Sequence, residues 1–173
     1  LNTAGVYFYS TDRRDEAETF FKENYETYPK SFAANADYVE YLMYTGRWED
    51  LSRVGRQAYE HLPQEIVFLE MASMGDYNLG DYEKVLDVCN EVLTVAAADS
   101  AKVLSAWSTM GDVYHQLGES KKSYKAYEKA LKINPGYVYV LNNYAYYLSE
   151  EGKKLKKAHD MSYRTVIAEP DNA

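Results

Sequence analysis

The sequence predicts an all-α solenoid of about five helix–turn–helix repeats, from a fixed spacing of turn glycines, a proline ladder of the same period, and apolar residues at helical intervals between them. Gly46, Gly80, Gly118 and Gly152 are separated by 34, 38 and 34 residues, so a four-residue insertion falls between the middle two. Of the four prolines, Pro29, Pro63 and Pro135 fall on the same ladder once that insertion is allowed, and Pro170 lies one residue off it. A period near 34 residues implies helical pairs stacked in a line, each burying its apolar face on its neighbours, so no central core is required. Hydrophobic residues make up 46% of the chain, which excludes wholesale disorder. No apolar run approaches the roughly 20 residues of a membrane helix.

The segment from Leu104 to Tyr137 shows the unit most clearly. Trp107, Met110, Gly111 and Tyr114 recur at helical spacing, Gly118 breaks the pattern, and Ser123, Tyr127 and Ala130 resume it before Pro135. Proline disfavours a helical residue before it, so Asn134-Pro135-Gly136 ends the second helix. Small residues at Gly111 and Ser123 would let the two helices approach, with Trp107, Tyr114 and Tyr127 filling the space around the contact.

These positions resemble the tetratricopeptide repeat, whose pattern W-x2-L-G-x2-Y, then A-x3-F-x2-A, then P, is matched by Trp107, Met110, Gly111, Tyr114, Ser123, Tyr127, Ala130 and Pro135. Stepping by the period divides the chain into a single array of five repeats at 1–31, 32–65, 66–103, 104–137 and 138–173. The first lacks its opening residues, retaining Ala4, Gly5, Phe8, Ala17, Phe21 and Pro29. The second departs at Asn35, a polar residue at an aromatic position, and at Gly55, where a large residue belongs. The third places Asp76 where an aromatic or leucine belongs, ends without proline and carries the four extra residues, so a lengthened helix pair is expected there. The fifth, through Leu141, Tyr144, Ala145, Leu148, Gly152 and Ala158, looks like repeats common in bacterial, Bacteroidetes-type multi-repeat proteins, often of the cell envelope. The resemblance implies an all-α, right-handed α-α superhelix whose function is protein binding.

In this family the first helix of each pair lines a concave groove, and the resemblance carries those positions onto this chain. They include Asn2, Thr3, Val6, Tyr9 and Ser10 in the first repeat. In the second and third they include Asp37, Glu40, Tyr44, Glu70, Met74 and Tyr77, and in the last two Asp112, His115, Tyr139, Asn142, Asn143, Tyr146 and Glu150. Asp37, Glu40, Glu70, Asp112 and Glu150 are five acids with no lysine or arginine among the groove positions, so an acidic groove bearing tyrosines is expected. The lysine, arginine and asparagine clamp by which chaperone-binding members hold a terminal carboxylate lacks its basic residues here. A segment with lysine or arginine fits better, held by the acids and by the faces of Tyr44, Tyr77 and Tyr146.

Charge and composition narrow the alternatives. Residues 1–86 hold 16 acids and 8 bases while residues 87–173 hold 11 of each, so the net charge of -8 sits in the front of the chain. A protein or peptide partner, basic or neutral, is expected rather than nucleic acid, because phosphate binding needs a basic surface. The lysines at 121, 122, 125, 129 and 132, and at 153, 154, 156 and 157, fall on second helices and read as a solvated outer face. His61, His115 and His159 lie in three different repeats without metal-ligand spacing, and no cofactor motif is present. Cys89 has no partner for an internal disulfide and takes a packing position. Asp15-Glu16 and Glu49-Asp50 start helices, where negative charge favours the helix dipole without any acid–base chemistry.

The function expected is therefore non-enzymatic: an interaction module with an acidic groove. A structural spacer or oligomerisation scaffold, and a substrate-recruiting part of a larger enzyme, are the alternatives. Numbering opens at Leu1 within a helical pattern and no signal peptide is visible, so the sequence reads as a segment of a longer array. That reading also expects self-association through exposed end helices, without direct membrane insertion. Compartment stays open between a periplasmic or envelope setting and a cytoplasmic one.

Overall fold

A computed structural model describes residues 11 and 13–168, and those residues are helix and turn throughout. In chain order the helices are α1 (Arg14–Thr27), α2 (Phe32–Tyr44), α3 (Trp48–His61), α4 (Val67–Leu79), α5 (Tyr82–Val95), α6 (Ser100–Gln116), α7 (Ser120–Ile133), α8 (Val138–Glu150) and α9 (Leu155–Ala168). The groove and signature positions expected in residues 2–10, and Pro170, lie outside the described residues. Among the described residues no helix is long and apolar enough to cross a membrane.

The glycines that set the period end the first helices. Gly46, Gly80, Gly118 and Gly152 all have positive φ, between 63° and 76°. At Gly80 the left-handed residue lets its own N–H reach the Tyr77 carbonyl and the Asp81 N–H reach that of Asp76, closing α4. Helix starts use side chains too. Asp99 caps α6 by accepting from the N–H groups of Ala101 and Lys102 at 3.0 and 3.1 Å, and Ser31 caps α2 through Ala34. Glu49 and Asp50 occupy the first turn of α3, and Asp15 and Glu16 that of α1.

Two compact halves, Leu1–Val88 and Cys89–Ala173, divide the chain within α5, where Val88 and Cys89 are both buried. In the first half, Phe21, Tyr38, Val39, Leu42, Leu51, Val54 and Phe68 form the core, with Phe21 against Tyr41 and Tyr25 against Tyr38 at ring centroids of 5.3 and 5.4 Å. In the second, Tyr127, Val140, Leu141, Tyr144 and Leu148 do the same, and Tyr127 and Tyr144 are wholly buried. Each such side chain contributes about 1.5–3 kcal/mol by leaving water.

The departures from the repeat pattern have structural reasons. Asn35 is fully buried, and its amide donates to the carbonyls of Pro29 and Ser31 at 2.9 and 2.7 Å, tying the turn between α1 and α2 to the helix it opens. Gly55 is small because α3 meets α4 at backbone distance. A Cβ there would stand 2.7 Å from the Phe68 carbonyl oxygen and 2.9 Å from the Ala72 nitrogen, and one on Gly75 would stand 2.6 Å from the Trp48 carbonyl oxygen and 2.8 Å from the Ser52 nitrogen. The four extra residues lengthen a single helix. α6 has 17 residues where α2, α4 and α8 have 13, while α5 keeps the 14 of the other second helices.

Gly55→Ala and Gly75→Ala should each destabilise the chain by about 1–3 kcal/mol, the range of overpacking in a close-packed site, although alanine favours a helix by about 1 kcal/mol over glycine. Urea unfolding followed by circular dichroism checks this; a midpoint unchanged or raised in either variant would refute the backbone contact.

Candidate functional site

The first helices of each half present the expected groove residues, and the halves use them differently. In the first half α2 and α4 pack directly on one another. Their buried stripes, including Tyr38 and Leu42 on α2 and Leu69 and Ala72 on α4, leave Asp37, Glu40, Tyr44, Glu70, Met74 and Tyr77 off the core. Tyr44 is 63% exposed and Met74 42%, while Asp37, Glu40, Glu70 and Tyr77 are half-buried. The Tyr77 ring meets Tyr82 edge-on at 5.7 Å. Neither α2 nor α4 contains a lysine or arginine. An acidic, tyrosine-bearing strip is what these two helices offer.

In the second half the corresponding residues largely hold the repeat together. Asp112, expected as an open groove acid, is only 6% exposed. Its carboxylate accepts hydrogen bonds from Tyr127 Oη at 2.5 Å, Tyr139 Oη at 2.7 Å and Asn143 Nδ2 at 3.0 Å, joining α6, α7 and α8. A carboxylate so occupied has little to give a ligand, and Asn143 is committed with it. His115 likewise turns to the scaffold. Its ring stacks on Tyr147 at 3.4 Å and 13°, and its buried Nδ1 has no hydrogen-bond partner among the described residues. Tyr146 is 58% exposed but donates to Glu150 at 2.8 Å, and that hydrogen bond raises its phenol above the usual range. Asn142 is exposed. With Tyr146 and Ser149 it borders a recess of about 570 Å³ whose other wall is Leu155, Ala158, His159 and Ser162 of α9.

Two charged constellations were not visible as sites in the sequence. Asp76, an apparent defect of the third repeat, is wholly buried and receives Ser52 Oγ and Arg56 Nη2, each at 2.6 Å. The Arg56 side chain remains 31% exposed, so the pair bridges the interior and the surface of the α3–α4 contact. On the outer side of the second half, Lys157 reaches Glu128 at 2.9 Å and Tyr144 Oη at 3.0 Å. The signal for the first was an arginine and a serine on the preceding helix, spaced four apart to face one point. Trp107, expected in the core, is half-buried and carries the Lys129 ammonium 3.6 Å above its ring.

No group of three or more histidine, cysteine or acidic residues suited to a metal occurs among the described residues. Tyr127 has a strongly perturbed acidity: burial first, then the Asp112 charge and hydrogen bond, push its phenol far above the ordinary range. Such a group donates a hydrogen bond and holds its proton, which is structural work.

A model of the tetratricopeptide repeat family matches residues 10–162, and the chain belongs to that family. A segment of 70 residues is 39% identical to the uncharacterized protein ycf37 of Pyropia yezoensis, over 40% of this chain and 39% of that protein. Another of 84 residues is 27% identical to the heat shock protein STI1 of Saccharomyces cerevisiae, over 43% of this chain and 14% of that protein. The matched parts thus span well under half of these relatives. Among solved structures, MamA of Desulfovibrio magneticus is 14% identical with a TM-score of 0.76, covering 98% of this chain and 94% of that one. PilF of Pseudomonas aeruginosa is 16% identical with a TM-score of 0.74 over 94% and 72% of the two chains. YrrB, described as a TPR protein with an unusual peptide-binding site, is 12% identical with a TM-score of 0.68 over 96% and 84%. At these identities the likeness is one of fold, and the all-α repeat fold expected from the sequence agrees with it.

The buried phenols give stability a dependence on alkaline pH. Tyr25, Tyr38, Tyr124, Tyr127 and Tyr144 all have folded-state values raised, first by burial. Their contribution is therefore complete below the unfolded value of about 10 and declines as the pH rises past it, when the unfolded chain loses protons the folded one keeps. Thermal melts between neutral pH and the far side of the tyrosine range should show a falling Tm, with a shallower fall in Tyr127→Phe. A flat profile through that range, or one unaltered by the substitution, would contradict the assignment.

Proposed function

We propose that this member of the tetratricopeptide repeat family is a non-enzymatic interaction module whose groove, on α2 and α4, receives a protein segment bearing lysine or arginine. The observation that carries the reading is the charge of those two helices: Asp37, Glu40 and Glu70 off the core, Tyr44 exposed beside them, and no basic residue on either helix. A basic side chain entering this strip exchanges water for carboxylates and an aromatic face. Exposed pairs of this kind contribute about 0.2–1 kcal/mol each, and a cation over an exposed ring about 0.5–1 kcal/mol. Several acting together favour lysine-rich segments over neutral ones without demanding one sequence.

The second half joins this function as support. With Asp112 and Asn143 hydrogen-bonded internally, its first helices contribute Asn142, Tyr146 and Glu150, the last already accepting from Tyr146. The basic-segment site is accordingly assigned to the first half alone. The repeat family itself supports an interaction scaffold, and the peptide-binding site described for YrrB shows that this fold can carry one.

The double substitution Glu40→Gln, Glu70→Gln removes two charges without changing side-chain size. It should weaken binding of a lysine-rich peptide by about five- to thirtyfold at low salt, the sum of two contacts near 0.5–1 kcal/mol each. Fluorescence anisotropy with an oligolysine peptide measures it, and equal affinity for the variant and the parent chain would end the groove reading.

A further inference from the structure

A separate surface gathers the positive charge. Lys121, Lys125 and Lys132 of α7 are all exposed, and their spacing of four and seven residues sets them along one face of the helix. None of the three has an ion pair among the described residues. Glu128 is the only acid of α7 and lies on the same face. It is already matched by Lys157 of α9, whose hydrogen bond holds the Glu128 carboxyl below its usual range. The aromatic rings beneath the ridge are taken as well. Lys129 covers Trp107 at 3.6 Å, and Lys122 lies over Tyr114 at 5.3 Å while pairing with Glu119. Internal pairing thus removes the negative charge from this face and leaves three lysines directed at solvent.

The rest of the chain has the opposite sign. Residues 1–88 contain 17 acids against 8 bases, and residues 89–173 contain 10 against 11. Fields of this asymmetry steer encounters between copies before any contact forms.

We infer that the lysine ridge of α7 on one copy docks into the acidic strip between α2 and α4 of a second copy. The inference rests on the groove reading above and names its partner. The strip calls for a basic segment, and a helix presenting lysines at Lys121, Lys125 and Lys132 is such a segment, already ordered, so docking costs little conformational entropy. The contact is heterologous, since the groove of one copy meets the ridge of another and not a like surface. Duplex DNA or an anionic membrane would also attract these lysines, but each carries negative charge over its whole surface and so meets the net charge of -8 of the chain with repulsion beyond the ridge. A second copy offers its acids in a confined strip instead.

Light scattering over a wide concentration range tests this at low salt and in about 0.5 M salt, where screening shortens to a few ångströms. The parent chain should gain mass with concentration at low salt and return to one copy at high salt. Lys121→Glu with Lys125→Glu should weaken self-association by about tenfold or more while binding the oligolysine peptide as the parent does, because its own groove is untouched. Mixed with the Glu40→Gln, Glu70→Gln chain, it should form a pair and nothing larger, one groove meeting one ridge. A parent chain of single-copy mass at every concentration, a lysine variant that associates like the parent, or association that survives high salt would overturn the inference. So would a single-copy parent that binds anionic vesicles or duplex DNA through these lysines. Failure of the groove reading is distinguishable: there the glutamine variant binds oligolysine as the parent does, whereas failure of this inference leaves groove-dependent peptide binding intact.

Discussion

The contact of α3 with α4 is the constraint on which the first half depends. Gly55 and Gly75 bring two helical backbones to within reach of one another, and the carbonyls of Trp48 and Phe68 face a helix across a gap with no room for a methyl group. Water cannot enter such a seam, so any polar group inside must be satisfied from within it. Asp76 is that group, and Ser52 and Arg56 satisfy it from the opposite helix. The arginine's outer part stays wet, which lowers the desolvation that usually cancels a buried ion pair. Close approach and charge pairing therefore require each other. Without the glycines the side chains could not meet at 2.6 Å, and without the pair the seam would enclose a bare carboxylate.

The second half uses a Gly-Asp dipeptide to a different end. Gly75-Asp76 lies four to five residues before its turn glycine, Gly80, whereas Gly111-Asp112 lies six to seven before Gly118. Two positions are about 200° around a helix, so the same dipeptide aims at different neighbours. Gly111 lies against the Tyr127 ring, and Asp112 gathers hydroxyls and an amide from α7 and α8. Tyrosine suits this role because its ring fills the core while its hydroxyl reaches the carboxylate. The abundance of tyrosine in the chain follows partly from this, with Tyr127, Tyr139 and Tyr144 each ending on an acid.

The fold was legible because it is written periodically. Left-handed glycines, helix-ending prolines and small-large alternation each repeat, and Tyr38, Tyr127 and Tyr144 are buried where their repeat positions say they should be. The groove was legible only as a set of positions. Glu40 and Asp112 occupy first helices with the same rank in the pattern, but one stands off the core and the other is enclosed by tyrosines from two further helices. Periodicity states which way a side chain leaves its helix. It does not state what meets it there, and that depends on non-periodic residues such as Tyr139 and Asn143. The same limit hid Asp76, whose partners are ordinary in sequence and adjacent only after the helices pack.

The lengthening of α6 shows how such a chain tolerates insertion. Four residues turn a helix by about 400°, only about 40° past a full revolution, so the buried stripe from Ala106 through Met110 and Val113 keeps its direction beyond the added turn. Two added residues would have swung that stripe to the far side, exposing the valine and burying polar neighbours. Gains and losses of whole turns at a capped helix start are therefore changes of length without change of phase. An array built this way has a quantised freedom to vary, in steps of one helical turn, without disturbing the repeats on either side.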